Sequence, residues 1–370
     1  MSFDIDLAAC RARQKRLLNH MHLNGIDLSI ITQHEHVQYF VGPRFAWTHS
    51  PAAAISASGK VTLVAPNKPP ASAAADDIVT YEAQWHSTLR NDQRRACSEV
   101  LLKALAGQTA ARKVGLEFAN ASKHFTDSLK VEFVDIEPQI YAFRRKKDPD
   151  ELVKLRKAIA ATGKMYAKAR EMVRPGVNEL DVFNELQAVA VRDLGEMLTG
   201  TGNDYACNAR GGPPRDRKAE AGELYILDLG PAYQGYFADN CRAISVDGKP
   251  TAPQMQAWEA LAKALDHVKA TVKPGKSCRQ LFHEVQTMLN SAPVGKFDHH
   301  LGHGIGLFPH EGPHLNPRLD WDDTFQVGDV FTAEPGLYAP ELKQGIRLEN
   351  DYLVTETGVE VLSDFPLGLT

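Results

Sequence analysis

The sequence has no long apolar run. Its most continuous stretches, such as Leu28 to Ile31 and Leu224 to Leu227, fall far short of the roughly 20 residues that a membrane-spanning helix needs, so no membrane association is expected. It lacks a basic amino-terminal segment followed by an apolar block, so no secretory signal is expected and the cytoplasm is the expected compartment. Cysteine is sparse. Cys10, Cys97, Cys207, Cys241 and Cys278 are odd in number, scattered and without close pairs, which fits neither a disulfide framework nor a zinc ribbon and reads as reduced thiols. An excess of either charge is also lacking: 42 Lys and Arg mixed with 46 Asp and Glu give a net charge of -4. No broad basic face for a nucleic acid backbone is expected, which directs attention to a peptide or small-molecule amide substrate.

What is present is length. A chain of 370 residues with 43% apolar content exceeds one comfortable hydrophobic core, so two or three domains are expected. From Ala12 to about Gln139, helical and strand-like patterns alternate: a helix through Leu17 and Leu18, the apolar run from Ile26 to Ile31, and short strands at Val61 to Val64 and Val114 to Glu117. This is the pattern of an α/β domain. The stretch Arg144-Arg-Lys-Lys-Asp-Pro149 is charged, contains a proline and precedes Leu152, Leu155, Ile159 and Tyr166 at helical spacing, as a linker followed by a long amphipathic helix would. The boundary is expected near residue 145, with domains at 1–145 and 146–370.

The second domain resembles itself. Val173-Arg-Pro-Gly176 is matched by Val272-Lys-Pro-Gly275, and Phe183-Asn-Glu185 by Phe282-His-Glu284, each 99 residues later. Gly222-Glu-Leu-Tyr-Ile-Leu-Asp-Leu-Gly230 aligns with Gly328-Asp-Val-Phe-Thr-Ala-Glu-Pro-Gly336, so Asp228 and Glu334 share a position. Asp239 and Glu349 correspond likewise, each nine residues before a glycine, Gly248 or Gly358. The period is far too long for a solenoid. Two halves related by a pseudo-two-fold axis would bring four carboxylates to one centre.

Asp228 and Asp239 are separated by Gly230, Pro231 and Gly235, and Glu334 and Glu349 by Pro335, Gly336 and Pro340, so each pair can lie side by side across a hairpin. Any one of these acids alone reads as a solvated residue at a strand end. Asp228, however, follows Leu-Tyr-Ile-Leu and Glu334 follows Val-Phe-Thr-Ala, runs that look like buried strands. Buried carboxylates without cations are very costly, so four converging acids call for metal. His303, in Leu301-Gly-His-Gly-Ile-Gly-Leu307, is the natural fifth ligand, because its glycines allow a close approach. One imidazole with four carboxylates suits two divalent ions at bridged spacing, drawn from manganese, cobalt, iron and zinc. Such a pair activates a bridging hydroxide for attack on a carbonyl, which is amide hydrolysis. Among His299, His300, His310 and His314, the first choice for a proton or hydrogen-bond donor is His310 in Phe308-Pro-His-Glu-Gly-Pro313. His300 and His314 are expected to be exposed loop residues.

Five motifs in order carry a family resemblance: Ile226-Leu-Asp-Leu-Gly230, Tyr236-Phe-Ala-Asp239, Gly302-His-Gly-Ile-Gly-Leu307, Ala333-Glu-Pro-Gly336 and Gly345-Ile-Arg-Leu-Glu349. The second domain resembles the pita-bread metallopeptidases, the group of aminopeptidase P, prolidase, methionine aminopeptidase and creatinase. The first, with Gly25-Ile-Asp27 and Val37-Gln-Tyr-Phe-Val-Gly42, is similar to the smaller creatinase-type domain of aminopeptidase P and prolidase, which methionine aminopeptidases lack. The resemblance implies an α/β (α+β) chain ending in a pita-bread fold with the internal pseudo-two-fold repeat. It also implies Asp228, Asp239, His303, Glu334 and Glu349 as metal ligands, Glu334 as general base, His310 and His299 as catalytic and substrate-side histidines, Arg347 as a brace for the ligands, and a homodimer. Arg318 falls in the stretch where a prolidase holds the carboxylate of its dipeptide.

Two departures stand out. Proline-specific members carry a further histidine about 17 residues before the first ligand, where this chain has Gly211, and they have threonine where it has Cys241. The implied function is cleavage of the Xaa-Pro bond of dipeptides or peptide N-termini. The alternative is a non-peptide C–N or related substrate on the same scaffold, as in creatinase. A binding module without turnover is a third class, and the complete set of five ligand positions speaks against it.

Overall fold

Runs of Val, Ile, Leu and Ala form a sheet in the first of two units, Met1–Phe143 and Arg144–Thr370, of a computed structural model that describes residues 5–106, 111–202 and 204–370. The first unit opens with α1 (Leu7–Asn24), capped by the Asp6 carboxylate, which accepts from the Ala9 N–H, and ended by Gly25 at φ +63°. There follow β1 (Leu28–Ile31), α2 (His34–Val41), β2 (Ala52–Ser56), β3 (Val61–Pro66) and β4 (Asp77–Tyr81). Next come a small hairpin of β5 (Gln84–Trp85) and β6 (Thr88–Leu89), then α3 (Gln93–Leu105), β7 (Lys113–Leu116), α4 (Lys123–Ser128), β8 (Glu132–Asp135) and α5 (Glu137–Arg145). The sheet order is β4-β3-β2-β1-β7-β8. It is mixed, with β1 antiparallel to β2 and parallel to β7. Its central strands β1, β2 and β3 are buried along nearly their whole length, which is why their sequence is continuously apolar instead of alternating.

The second unit runs α6 (Pro149–Met172), α7 (Glu179–Leu194), β9 (Leu224–Leu229), β10 (Ala232–Tyr233), β11 (Tyr236–Phe237), β12 (Asn240–Ser245), α8 (Ala252–Thr271) and α9 (Cys278–Asn290). It continues through β13 (Gly302–Gly304), β14 (Glu311–Leu315), β15 (Val330–Ala333), β16 (Gly336–Leu337), β17 (Ile346–Arg347), β18 (Asn350–Val354) and β19 (Val359–Val361). The internal repeat reaches individual hydrogen bonds. Gly176 and Gly275, at φ +90° and +86°, turn the chain after α6 and α8. Their N–H groups donate to the carbonyls of Ala219 and Phe325, both at 2.8 Å. The next helices are capped by Asn178 and Ser277, whose side chains accept from the N–H groups of Leu180 and Gln280. In each half an antiparallel strand pair then forms, β9 with β12 and β15 with β18. The halves are stitched by the Glu349 N–H, which donates to the Cys241 carbonyl at 3.0 Å.

The charged run after residue 143 is not a solvated tether. Arg144 and Lys147 are buried, both paired with the buried carboxylate of Glu311, and Lys147 Nζ also donates to the Arg144 carbonyl at 2.7 Å. Removing either partner of such a cluster would strand a buried charge.

Candidate metal centre

Each of the four predicted acids stands at or beside the end of a strand in one of the two equivalent pairs. Asp228 is the penultimate residue of β9 and Asp239 immediately precedes β12; Glu334 follows β15 and Glu349 precedes β18. The hairpins β10–β11 and β16–β17 turn the chain between them. His303 lies on β13, antiparallel to β15. A Cβ on Gly302 would overlap the Thr332 carbonyl and one on Gly304 the Gly312 carbonyl, so the glycines allow backbones to pack directly against each other and hold His303 at a fixed depth.

These side chains converge. Donor atoms of Asp228, Glu334 and Glu349 lie within 4.8 Å of one another, as do those of Asp239, His303 and Glu349, and those of His300, His303 and His310. Glu349 belongs to two of these sets. The Asp228 and Asp239 carboxyl groups act on each other's protonation. Burial raises the carboxyl pKa of Asp239 and Glu349 well above the usual range, reinforced by the neighbouring acids, and raises that of Asp228, with Arg347 opposing. At Glu334 burial acts in the same direction but is outweighed by the hydrogen bond from His300 and by nearby His303 and Arg347, so its pKa falls. Glu349 Oε2 is buried with no hydrogen-bond partner. A cation satisfies this orphaned oxygen and the repulsion among the acids together, so the donor set fits divalent metal.

His303 is prepared for the same role. Its Nδ1 faces the Gly304 carbonyl at 3.0 Å, which makes Nδ1 the donor and leaves Nε2 as a free acceptor, 3.6 Å from Asp239 Oδ2 and 3.5 Å from Glu334 Oε1. Burial holds its pKa down at about 4, so the ring is neutral as a ligand must be. His310 stacks on it at 3.6 Å between ring centroids and 15° between planes, and burial lowers its pKa as well. Arg347 braces the acids: its Nη2 donates to Asp228 Oδ2 at 2.8 Å and pairs with Asp204, while Nη1 donates to the Arg210 carbonyl at 3.0 Å and to Tyr338 Oη at 3.3 Å. A cavity of about 410 Å³ opens onto Asp228, Asp239, His303, His310, Glu334 and Arg347.

Other expected residues stand elsewhere. His299 has its Nε2 3.0 Å from Tyr338 Oη and its Nδ1 2.7 Å from the His300 carbonyl, and is not among the described residues that line the cavity. Arg318 is exposed and away from the cavity. Gly211 faces the Asp204 carboxylate, and Cys241 is buried, its Sγ donating to the Arg347 carbonyl at 3.5 Å. His314 is tied to Asp323 at 3.0 Å. The expectation for His300 needs correction: it is not a free loop histidine, because its Nε2 is 2.8 Å from Glu334 Oε1 and that bond raises its pKa against the effect of burial. Asp204 was missed outright. It has no motif around it and reaches the site only through an antiparallel bridge to Asp228.

Comparison with known proteins meets this geometry. Residues 153–356 match metallopeptidase family M24, and residues 13–146 match the creatinase/prolidase N-terminal domain. The chain belongs to metallopeptidase family M24. It is 31% identical over 238 residues to an uncharacterized peptidase of Staphylococcus saprophyticus, covering 63% of this chain and 67% of that one. Its fold is similar to the prolidase from Pyrococcus horikoshii OT3, with a TM-score of 0.80 and 24% identity, covering 97% of this chain and all (100%) of that one. It is also similar to an Xaa-Pro dipeptidase from Bacillus anthracis, with a TM-score of 0.82 and 23% identity, covering 97% and 99% of the two chains. This M24 protein is therefore a metal-dependent peptidase of mixed α/β architecture, with a creatinase-type domain before its catalytic one. Among the described residues no helix is long and apolar enough to cross a membrane.

Proposed function

We propose that the M24 centre holds two divalent ions on Asp228, Asp239, His303, Glu334 and Glu349, and that it hydrolyses the bond before proline at peptide N-termini or in dipeptides. The observation that carries this reading is the sharing of Glu349 between two sets of donor atoms, each within 4.8 Å, so that two neighbouring ions would be held by adjoining donor groups. When bound, such ions would polarise the scissile carbonyl and lower the pKa of a water. Glu334, with its lowered pKa, is an ionised base beside that carbonyl. His310, neutral and one ring away from His303, is placed to donate to the oxygen that becomes negative. Arg347 holds Asp228 in place. The solved relatives named for prolidase and Xaa-Pro dipeptidase support proline as the residue after the cut bond.

Manganese is the first metal to load, with cobalt, zinc and iron as alternatives. The five cysteines form no disulfide, which supports the cytoplasm, and the balanced charge speaks against a nucleic-acid partner. A homodimer belongs to the same reading; Trp47, 88% exposed, offers the first unit apolar surface for it.

The deciding experiment strips the protein of metal, reloads it separately with manganese, cobalt and zinc, and assays a panel of Xaa-Pro peptides. Metal-restored cleavage before proline establishes the reading. Silence across the panel with two metals bound per chain moves the function to a non-peptide C–N substrate, a second reading favoured by Gly211. In the same assay His310→Ala is expected to lower turnover roughly 10²-fold while leaving metal content unchanged, as loss of one positioned donor does. Retained activity would remove His310 from the mechanism.

A further inference from the structure

We infer that Asp204 sets the specificity of this cavity against substrates bearing a free carboxylate, so that the preferred class is a peptide extended or neutral beyond proline instead of a free dipeptide. This rests on the two-ion peptidase reading above.

The geometry begins with strand pairing. Asp204 and Asp228 stand directly opposite each other in an antiparallel bridge, with the Asp228 N–H donating to the Asp204 carbonyl at 2.9 Å. Residues so opposed send their side chains to the same face, which puts the Asp204 carboxylate into the cavity wall beside Asp228. It is held there: its Oδ1 accepts from the Gly212 N–H at 2.5 Å, its Oδ2 pairs with Arg347, and its side chain is only 20% exposed. It is no solvated loop acid. A Cβ on Gly211 would overlap this carboxylate, and Gly211 has φ +151°, so no side chain at 211 can enter the cavity while Asp204 stands there.

Charge then decides what can bind. Arg347 is the one Lys or Arg among the described residues lining the cavity, and it is already shared between Asp204 and Asp228. Held with two divalent ions and a neutral water, before that water gives up its proton, five carboxylates (Asp204, Asp228, Asp239, Glu334 and Glu349) and one guanidinium would sum to zero. Without Asp204 the same centre would keep one surplus positive charge, the field that attracts an anionic substrate. Asp204 cancels it and places a like charge in the cavity wall, against any carboxylate that arrives there, whereas an amide or a continuing peptide bond meets no such repulsion.

The test compares acid and amide on the full, metal-loaded chain. Dissociation constants for L-proline and L-prolinamide are measured by calorimetry, and kcat/KM for Ala-Pro and its C-terminal amide by product analysis. The wild type is expected to favour the amide by about tenfold or more in both, and Asp204→Asn to narrow that ratio by about tenfold at unchanged metal content. A merely structural Asp204 would raise both dissociation constants and lower both kcat/KM values together, and leave the ratios alone. Equal or better handling of the acid by the wild type, or an unchanged ratio in Asp204→Asn, overturns the inference. Should Asp204→Asn fail to fold, Asp204→Ser is measured in its place, and the wild-type ratio decides by itself. Amide preference in binding with no peptide cleaved would remove the Xaa-Pro reading alone; cleavage without discrimination would remove this inference alone; neither binding nor cleavage removes both.

Discussion

Glu334→Ala and Asp239→Ala are each expected to abolish turnover, by at least about 10³-fold, and to lower metal content. The two residues fail for different reasons. Glu334 combines a donor atom of one set with the one carboxylate of the centre whose pKa is lowered, so its loss removes both a ligand and the ionised base. Asp239 lies 3.6 Å from His303 Nε2 and belongs to the donor set with His303 and Glu349, so its loss opens that set. Glu334→Gln separates the roles, since an amide can still offer an oxygen to metal but cannot take a proton. Metal analysis beside kcat for the three variants is the check. Near-normal activity in either alanine variant would sink the proposed centre.

Removing metal is expected to destabilise the protein, and more so as pH rises. In the metal-free fold burial and mutual repulsion raise the pKa of Asp239 and Glu349 well above their unfolded values, and burial raises that of Asp351 to about 8. Between the unfolded pKa near 4 and these raised values, the folded chain binds more protons than the unfolded one, so its stability falls as pH increases. Divalent ions take the place of those protons. Chelated protein should therefore melt lower at pH 8 than at pH 5, and saturating metal should raise the melting temperature by about 10 °C at pH 8, with a smaller shift at pH 5. Calorimetry in buffers of different ionisation enthalpy should show proton release on metal binding, greatest at low pH. A metal-induced shift that is the same at both pH values would show that the acids are not protonated in the metal-free fold.

The convergence of the donor residues was readable from sequence because its signals are local and doubled. Asp228 and Glu334 each end an apolar strand, and the repeat places Asp239 and Glu349 in the same register, so four acids could be paired without knowing where the halves lie. The glycines around His303 announced a close approach, and the structure supplies its partners, the carbonyls of Thr332 and Gly312. The charged stretch before α6 was less informative, since the same residues serve a solvated linker or, as here, a buried cluster on Glu311.

His300 and Asp204 show where such reading stops. A histidine next to another histidine has no periodicity to tell which ring faces inward, and only the hydrogen bond to Glu334 identifies it. Asp204 is a lone acid in an irregular stretch, brought to the centre by a single bridge to Asp228. The sequence by itself determined the α/β class, the two-part organisation, the duplicated strand pairs and the five converging donor residues, because each is written as a run, a turn or a repeat along the chain. Only the tertiary structure decided which groups meet Glu334 and Arg347, and that Gly211 faces a carboxylate. Those contacts join residues distant in sequence through strand pairing and packing, and pairing across strands leaves no pattern along either one.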